Sequence, residues 1–392
     1  MKKITLCLCL TLISASLFAQ GTKITLSDQA TVSLLTVDQY DALWAAFGHA
    51  SLRIYDPVTG VDRAYDYGVF DFTSPTFYSD FTKGLLKYRV ARSSFDQFLR
   101  RYEVQGRWVK EQVLNLDSAE VQAVFDYVEW NILPENRYYM YHYFYNNCAT
   151  LLIDIVQNEL GDRVRFPADH LEKEYTLRGL VHDYTYMDPF AQFGIDLILG
   201  SNIDKAATPR EVAFLPDYTA KAFANAELMK DGQWVPLAQP QVTVLNLPSL
   251  REREFSFIFT PARICWLVFV MALLITLRQR KMPLVGRIFD WLVFLILGLS
   301  GTLMAYMWFG TDHVDCANNY NLLWALPTHA ILAFFLLKTS WTHKVRRYFR
   351  LVAIFSLLVV LLWWLWPQDM PNAAIPLVLT AVLRGGRAGF LS

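Results

Sequence analysis

The chain is poor in cysteine: five in 392 residues, of which Cys7 and Cys9 fall in the first ten positions. The remaining three, Cys148, Cys265 and Cys316, cannot build the disulfide framework of a small secreted fold. There is no charge excess of either sign, with 36 Lys+Arg against 36 Asp+Glu. A nucleic-acid partner asks for a basic face, so none is expected. There is no glycine-rich phosphate loop and no Gly-x-Ser-x-Gly elbow, which removes the P-loop nucleotide enzymes and the usual serine hydrolases. Only seven histidines occur. His170 and His182 lie among acids but lack ligand spacing, so no metal and no cofactor are expected.

What the chain has in excess is apolar residues, 54% of the total. Met1-Lys2-Lys3, an apolar run from Ile4 and then Leu17-Phe18-Ala19 form a signal peptide, with cleavage expected after Ala19. An uncleaved anchor is the alternative. Residues 20–254 read as a soluble α+β domain, long enough for a core of its own. Residues 255–392 read as membrane. Apolar runs cover 257–277, 288–309, about 320–337, 351–366 and 375–383. A span needs about twenty apolar residues, so the last run, holding Pro376, is either a short tilted span or a re-entrant segment. Cys265 lies within the first run.

Arg278, Arg280, Lys281 and Arg287 separate the first two runs, and Lys338, His343, Lys344, Arg346, Arg347 and Arg350 separate the third from the fourth. Arg384 and Arg387 follow the fifth. The loops 310–319 and 367–372 carry Asp and neither Lys nor Arg. Basic loops stay in the cytoplasm. The soluble domain and the acidic loops then share the periplasmic side, as a signal peptide also requires. Trp308, Trp324, Trp363, Trp364 and Trp366 suit an interfacial belt. Asp290 is expected at the cytoplasmic interface, whereas His329 lies deeper in the third run.

In the soluble domain, Phe47–Tyr55 alternates as a strand, Asp56-Pro57-Val58-Thr59-Gly60 is a turn, and Arg63–Phe72 gives a second strand. Ser94 and Ser118 are expected N-caps of the helices that follow them. Residues 136–147 are crowded with aromatics and read as a core strand, or as an apolar wall including Tyr143 and Tyr145. His142 reads as structural.

The residue types that carry chemistry are Cys148 and His49. Cys148 stands in Tyr145-Asn146-Asn147-Cys148-Ala149-Thr150 and opens an apolar helical pattern running to Gly161. A helix start carries unpaired N–H groups and partial positive charge, which favour the nucleophilic thiolate. A Cys148–Cys316 disulfide would remove that thiol. His49, at the start of the hairpin, is the expected base, and Asp66 on the neighbouring strand is the natural group to orient it. The register leaves Tyr65 or Tyr67 as alternatives. Asn147 is expected either to lend its amide to an oxyanion hole with the Cys148 N–H or, like Asn146, to cap the helix.

With these residues assembled, the chain resembles a known family. Phe47-Gly48-His49-Ala50-Ser51-Leu52-Arg53-Ile54, Tyr67-Gly68-Val69-Phe70-Asp71-Phe72, Gln112-Val113-Leu114-Asn115-Leu116 and Phe144–Thr150 are similar to the periplasmic domain of the Lnb-type bacterial lipoprotein N-acyltransferases. The membrane half resembles the same family through Thr311-Asp312-His313 and Asn319-Tyr320-Asn321-Leu322-Leu323-Trp324. More distantly, the order His then Cys looks like lecithin-retinol-type acyltransferases and permuted NlpC/papain-like peptidases. The resemblance implies a thiol acyltransferase with Cys148 as nucleophile and His49 as base, and it leaves the third residue open.

The expected reaction takes an acyl chain from a phospholipid and passes it, through a Cys148 thioester, to the N-terminal Cys α-amine of a diacylated lipoprotein. The partners expected are phospholipid, diacylated lipoprotein and membrane. Asp312, His313, Asn318, Asn319 and Asn321 on the acidic side are expected to bind a headgroup or the incoming amine. The rival readings are a membrane-anchored cysteine peptidase or amidase acting on cell-wall peptides, and a non-enzymatic assembly factor.

Overall fold

Period-two alternation builds the sheet that holds the site. The computed structural model describes residues 24–70, 73–249, 258–338 and 342–391. The signal peptide and the expected boundary at 254/255 lie outside the described residues. Strands β1 (Thr31–Val37), β2 (His49–Asp56), β3 (Val61–Val69), β4 (Lys87–Ser94), β5 (Val109–Val113), β6 (Tyr138–Met140) and β10 (Val242–Leu245) form one antiparallel sheet in the order β10-β5-β1-β2-β3-β4-β6. β7 (Val164–Arg165), β8 (Glu227–Lys230) and β9 (Gln233–Pro236) form a small second sheet.

The soluble domain's longer helices are α1 (Phe77–Lys83), α2 (Phe95–Gln105), α3 (Ser118–Asn131), α4 (Thr150–Leu160), α5 (Leu177–Thr185), α6 (Pro189–Ile198) and, after the short α7 (Pro209–Val212), α8 (Pro216–Asn225). On β2, Ala50, Leu52 and Ile54 are fully buried in the core that α3, α4 and α8 close. The opposite face carries His49, Ser51 and Arg53, under α2. There the Arg53 guanidinium lies 3.5 Å from the Phe95 ring centroid and pairs with Asp62 and Glu111. The sheet is thus covered on both faces, and its apolar alternation sets which side each polar residue takes.

Two helix starts follow different rules. Ser94 caps α2 as expected, accepting from the Gln97 N–H at 3.3 Å. At α3 the cap is Asp117, one residue before the expected Ser118. Its carboxylate accepts the Glu120 N–H while Glu120 accepts the Asp117 N–H, a reciprocal box that a serine one position later does not form. The expected core strand over 136–147 shortens to the three residues of β6, on the sheet edge, followed by a turn closed by His142 and Asn146.

In the membrane half, α9 (Pro261–Arg278), α10 (Pro283–Phe309), the stretch Tyr320–Leu337 and the stretch Asn372–Phe390 are long and apolar enough to cross a bilayer. The third of these is broken around Pro327 into 3₁₀ turns and the short α11 (Thr328–Leu332). It seats against α10 because Gly298 and Gly301 lack side chains: a Cβ there would come within 2.0 Å of the Ala330 nitrogen and 1.8 Å of the Ala325 oxygen. α12 (His343–Leu361) has spanning length but opens with the basic residues His343, Lys344, Arg346, Arg347 and Arg350.

α13 (Ile375–Gly386), the core of the last stretch, runs three residues past the apolar run that ends at Leu383. The extension is possible because Arg384 is fully buried inside the bundle. It donates to both oxygens of Asp290, to Thr276 Oγ1 at 2.7 Å and to Gln279 Oε1 at 2.8 Å. Asp290, expected at the interface, is therefore a buried partner, since a cation on α13 faces it. Trp324 and Trp363 also depart from the expected belt. Both are buried, with their indole N–H groups donating to Asn321 and Asn372. His329 is buried, with Nδ1 2.5 Å from the Tyr348 hydroxyl.

The two halves are pinned together. Asn319 donates to the carbonyls of Leu197 and Ile198, Asn321 to that of Asp196, and Gln368 to that of Leu199. These are the orphan carbonyls at the C-terminus of α6. The backbone carbonyls of Asp315 and Asn318 accept the N–H groups of Gly200 and Ser201.

Candidate functional site

The register of β2 against β3 decides the site. Ser51 pairs with Asp66, which sets Gly68 opposite His49 at the same end of the hairpin. Asp66 and His49 project to the same face, toward α2. His49 Nε2 lies 3.0 Å from Asp66 Oδ1, and Arg101 of α2 donates to Asp66 Oδ2 at 3.1 Å. Asp66 is buried. Burial opposes its charge, but the hydrogen bond and charge of His49 and the charge of Arg101 hold its carboxyl below the ordinary range.

Cys148 arrives from the turn before α4. Gly68 packs beside it, in a backbone conformation at φ +83° that favours glycine: the position a Cβ would take there lies in ordinary contact, 3.6 Å from Cys148 Cβ and 3.5 Å from the Tyr141 ring. The thiol is partly buried beside His49, whose Nε2 is already engaged by Asp66, so that Nδ1 is the nitrogen left to face sulfur. Burial alone would raise the thiol, but the His49 charge, its hydrogen bond and the Ala50 N–H outweigh it and lower the Cys148 pKa. For His49, burial disfavours the imidazolium, and the neighbouring Tyr102 and Cys148 together with the Asp66 bond push it well above the ordinary value. Both shifts run in the direction that favours thiolate and imidazolium over the neutral pair.

Asn147 does not aim its amide at the thiol. Both amide hydrogens are engaged, by the carbonyls of Tyr143 at 2.9 Å and Phe214 at 2.8 Å, and its Oδ1 accepts the Ala149 and Thr150 N–H groups. It is a helix cap, which corrects its assignment to an oxyanion hole. This cap passes over the Cys148 N–H itself. Asn146 ties its side chain to the Met140 carbonyl and so holds the turn.

Tyr143 packs against Phe47, Phe144 and Phe214, and its hydroxyl is buried with no hydrogen-bond partner. Burial, then neighbouring Tyr141 and Cys148, hold its phenol protonated. Tyr145 lies apart, half-exposed beside the His142 ring. His142 in turn faces Asp315 of the membrane half at 3.6 Å. Burial raises Asp315 to about 7.

Asn319 and Asn321, expected at substrate, are buried and committed to the α6 carbonyls, which corrects that assignment: amide side chains beside a helix C-terminus complete its hydrogen bonding. Asp312 and His313 reach the domain instead near α1, through Asp312 N–H to the Lys83 carbonyl at 2.8 Å and His313 Nε2 to the Phe81 carbonyl at 2.9 Å. Asn318 Nδ2 donates to Asn202.

Three residues of the site left no readable mark in the sequence: Arg101, Tyr102 and Arg107. The Tyr102 ring lies between His49, at 6.3 Å, and the Arg107 guanidinium, at 4.9 Å. Arg107 is buried and donates to the Asp38 carbonyl. The helical spacing of Arg101 and Tyr102 was readable, but not the strand they face. Among the described residues no group of three or more His, Cys, Asp or Glu is arranged to hold a metal. Cys148, Cys265 and Cys316 are all free thiols. A cleft of about 750 Å³ lined by Trp108, Lys110, Asp217 and Lys221 does not include the thiol.

The paired shifts predict a reactivity profile. Alkylation of Cys148 by iodoacetamide in the full chain is expected to rise with pH through a midpoint below that of an ordinary thiol, because the thiolate fraction grows through a lowered pKa. In His49→Ala burial and the Asp66 charge are opposed only by the Ala50 N–H, and the midpoint should rise. An unchanged midpoint in that variant would refute the ion pair.

Comparison with known proteins agrees with this architecture. The Lnb N-terminal periplasmic domain matches residues 18–183 and the Lnb transmembrane domain matches residues 252–392, together most of the chain. No curated protein and no solved structure matches it. The α+β domain followed by apolar helices is consistent with both matches, which support a lipoprotein-processing protein of the inner membrane with its N-terminal domain in the periplasm. On these two matches, and on a sheet-borne histidine facing a thiol at a helix start, the chain belongs to the Lnb family.

Proposed function

We propose that this chain is a thiol-dependent acyltransferase that moves an acyl chain from a phospholipid to the N-terminal Cys α-amine of diacylated lipoproteins. The Cys148 thiolate attacks the ester carbonyl and a C–S bond forms. The C–O bond to the glycerol breaks, and the His49 imidazolium gives its proton to the departing lysophospholipid oxygen. His49, now neutral, takes a proton from the incoming α-amine, which attacks the thioester. The amide forms, the C–S bond breaks and the thiolate returns. Asp66 orients His49 and stabilises its charge, and Arg101 holds Asp66. The Cys148 N–H, skipped by the Asn147 cap, is a donor for the developing oxyanion.

The observation that carries this reading is a cysteine at a helix start beside a histidine held by a buried carboxylate, in an aromatic setting, on a domain pinned to a membrane bundle. Both substrates are anchored in the same membrane, so tethering raises their effective concentration. The same reading puts the domain and the 310–319 loop in the periplasm and the C-terminus in the cytoplasm, with the chain crossing five times. The experiment is capture of the intermediate. The full chain in vesicles containing phospholipid with a labelled acyl group should gain one labelled acyl on Cys148, released by neutral hydroxylamine. A chain that never acquires the label while releasing cell-wall peptide fragments would establish the peptidase instead.

A further inference from the structure

A file of aromatic rings runs from the thiol to the junction with the membrane half. Tyr141 stands against Gly68 beside Cys148, and its ring centroid is 4.5 Å from that of Tyr88. Tyr88 is 5.1 Å from Phe70, Phe70 is 5.9 Å from Phe77, and Phe77 is 6.1 Å from Phe81. Phe77 and Phe81 belong to α1, the short helix whose backbone is fastened to the outer loop of the membrane half. His313 bonds the Phe81 carbonyl, the Asp312 N–H bonds that of Lys83, and Gly84 at φ +83° lets the two backbones approach.

The outer side of this lobe is apolar and open. Tyr78 is 74% exposed, Phe81 49% and Leu85 43%, with Lys83 and Lys87 exposed at the rim. In water such a patch is costly. Aromatic residues edged by lysines suit the boundary between acyl chains and phosphates, where rings sit at headgroup depth and ammonium groups reach anionic oxygens. The fastening of α1 to the loop between two apolar helices carries the patch to that depth.

We infer that α1 lies in the periplasmic leaflet and that the ring file Phe81–Phe77–Phe70–Tyr88–Tyr141 is the wall along which a phospholipid acyl chain reaches Cys148. This rests on the acyl-transfer reading above and adds the route of the donor. Each ring replaces the apolar contact that a methylene loses when it leaves the bilayer. A long chain therefore gains from the file where a two-carbon acyl group does not.

Two measurements test this in the full-length chain. For depth, Tyr78→Cys in a background with Cys148, Cys265 and Cys316 all replaced by Ser carries a nitroxide in phosphatidylethanolamine–phosphatidylglycerol vesicles. Strong relaxation by oxygen and weak relaxation by a water-soluble nickel chelate are expected. Nickel access, or protection from both, overturns the membrane position. For the route, Phe70→Ala and Phe77→Ala are compared with the native chain using p-nitrophenyl palmitate and p-nitrophenyl acetate. The ratio of palmitate to acetate acylation of Cys148 should fall roughly tenfold, the loss of one or two methylene contacts. An unchanged ratio overturns the wall. A native chain that neither ester acylates would instead sink the acyl-transfer reading, while the nitroxide result would still decide where α1 lies.

Discussion

Lipoproteins from cells whose only copy of this chain carries Cys148→Ser are expected to lack the N-linked acyl group, as read by mass spectrometry of their N-terminal peptides. A serine hydroxyl at this position is not ionised by an imidazole as a thiol is. Losing the nucleophile of such a unit costs about 10⁶-fold in turnover. His49→Ala should be nearly as severe, because the thiol then loses both its proton partner and the charge that lowers its pKa.

Asp66→Asn separates orientation from chemistry. It keeps the shape but offers an amide where the imidazolium needs a carboxylate, and a loss of up to about 10⁴-fold is expected. Arg101→Gln, one step further out, should cost much less, and its effect should vanish in an Asp66→Asn background. N-acylation that persists in Cys148→Ser, with that protein present at normal level in the membrane, would refute the mechanism.

The second large effect lies in the bundle. Asp290→Asn should leave the full chain far less stable in detergent, because the Arg384 guanidinium then stays buried without its counter-charge. Breaking one side of a buried pair costs about 3–5 kcal/mol. Thr276 and Gln279 give Arg384 neutral partners but no compensating charge. Removing both charges, as Asp290→Leu with Arg384→Met, should recover much of the loss, since no ion is then left desolvated. The measurement is the melting temperature of the purified full-length protein. A single Asp290→Asn change that melts like the native chain would show that the pair is not holding α10 to α13.

The candidate site was legible in part, and the division follows residue by residue. Cys148 stood out because a thiol after two asparagines at the start of an apolar helical pattern is a local arrangement. His49 and the hairpin stood out through alternation and the turn at Asp56–Gly60. Asp66 was one of several strand residues that might have faced His49, because a hairpin's sequence does not say which pairs lie opposite. Arg101, Tyr102 and Arg107 were invisible as site residues, since they reach it only when α2 packs over the sheet. Asn147 looked equally like an oxyanion donor or a cap, and the Phe214 carbonyl, far along the chain, settled it.

The membrane half divides the same way. By itself the chain determined that there are two physically different halves, which loops are basic, and that a reactive thiol precedes a helix. These depend on composition and on spacing within a turn or a strand, which any local segment carries. Tertiary structure alone decided that Arg384 lies inside the bundle against Asp290, that Asn319 and Asn321 close the end of α6, and that Cys148 packs beside Gly68 on the strand that carries Asp66. Each of these is a contact between distant segments whose free energy comes from burying or pairing groups, and no short stretch of sequence contains both partners.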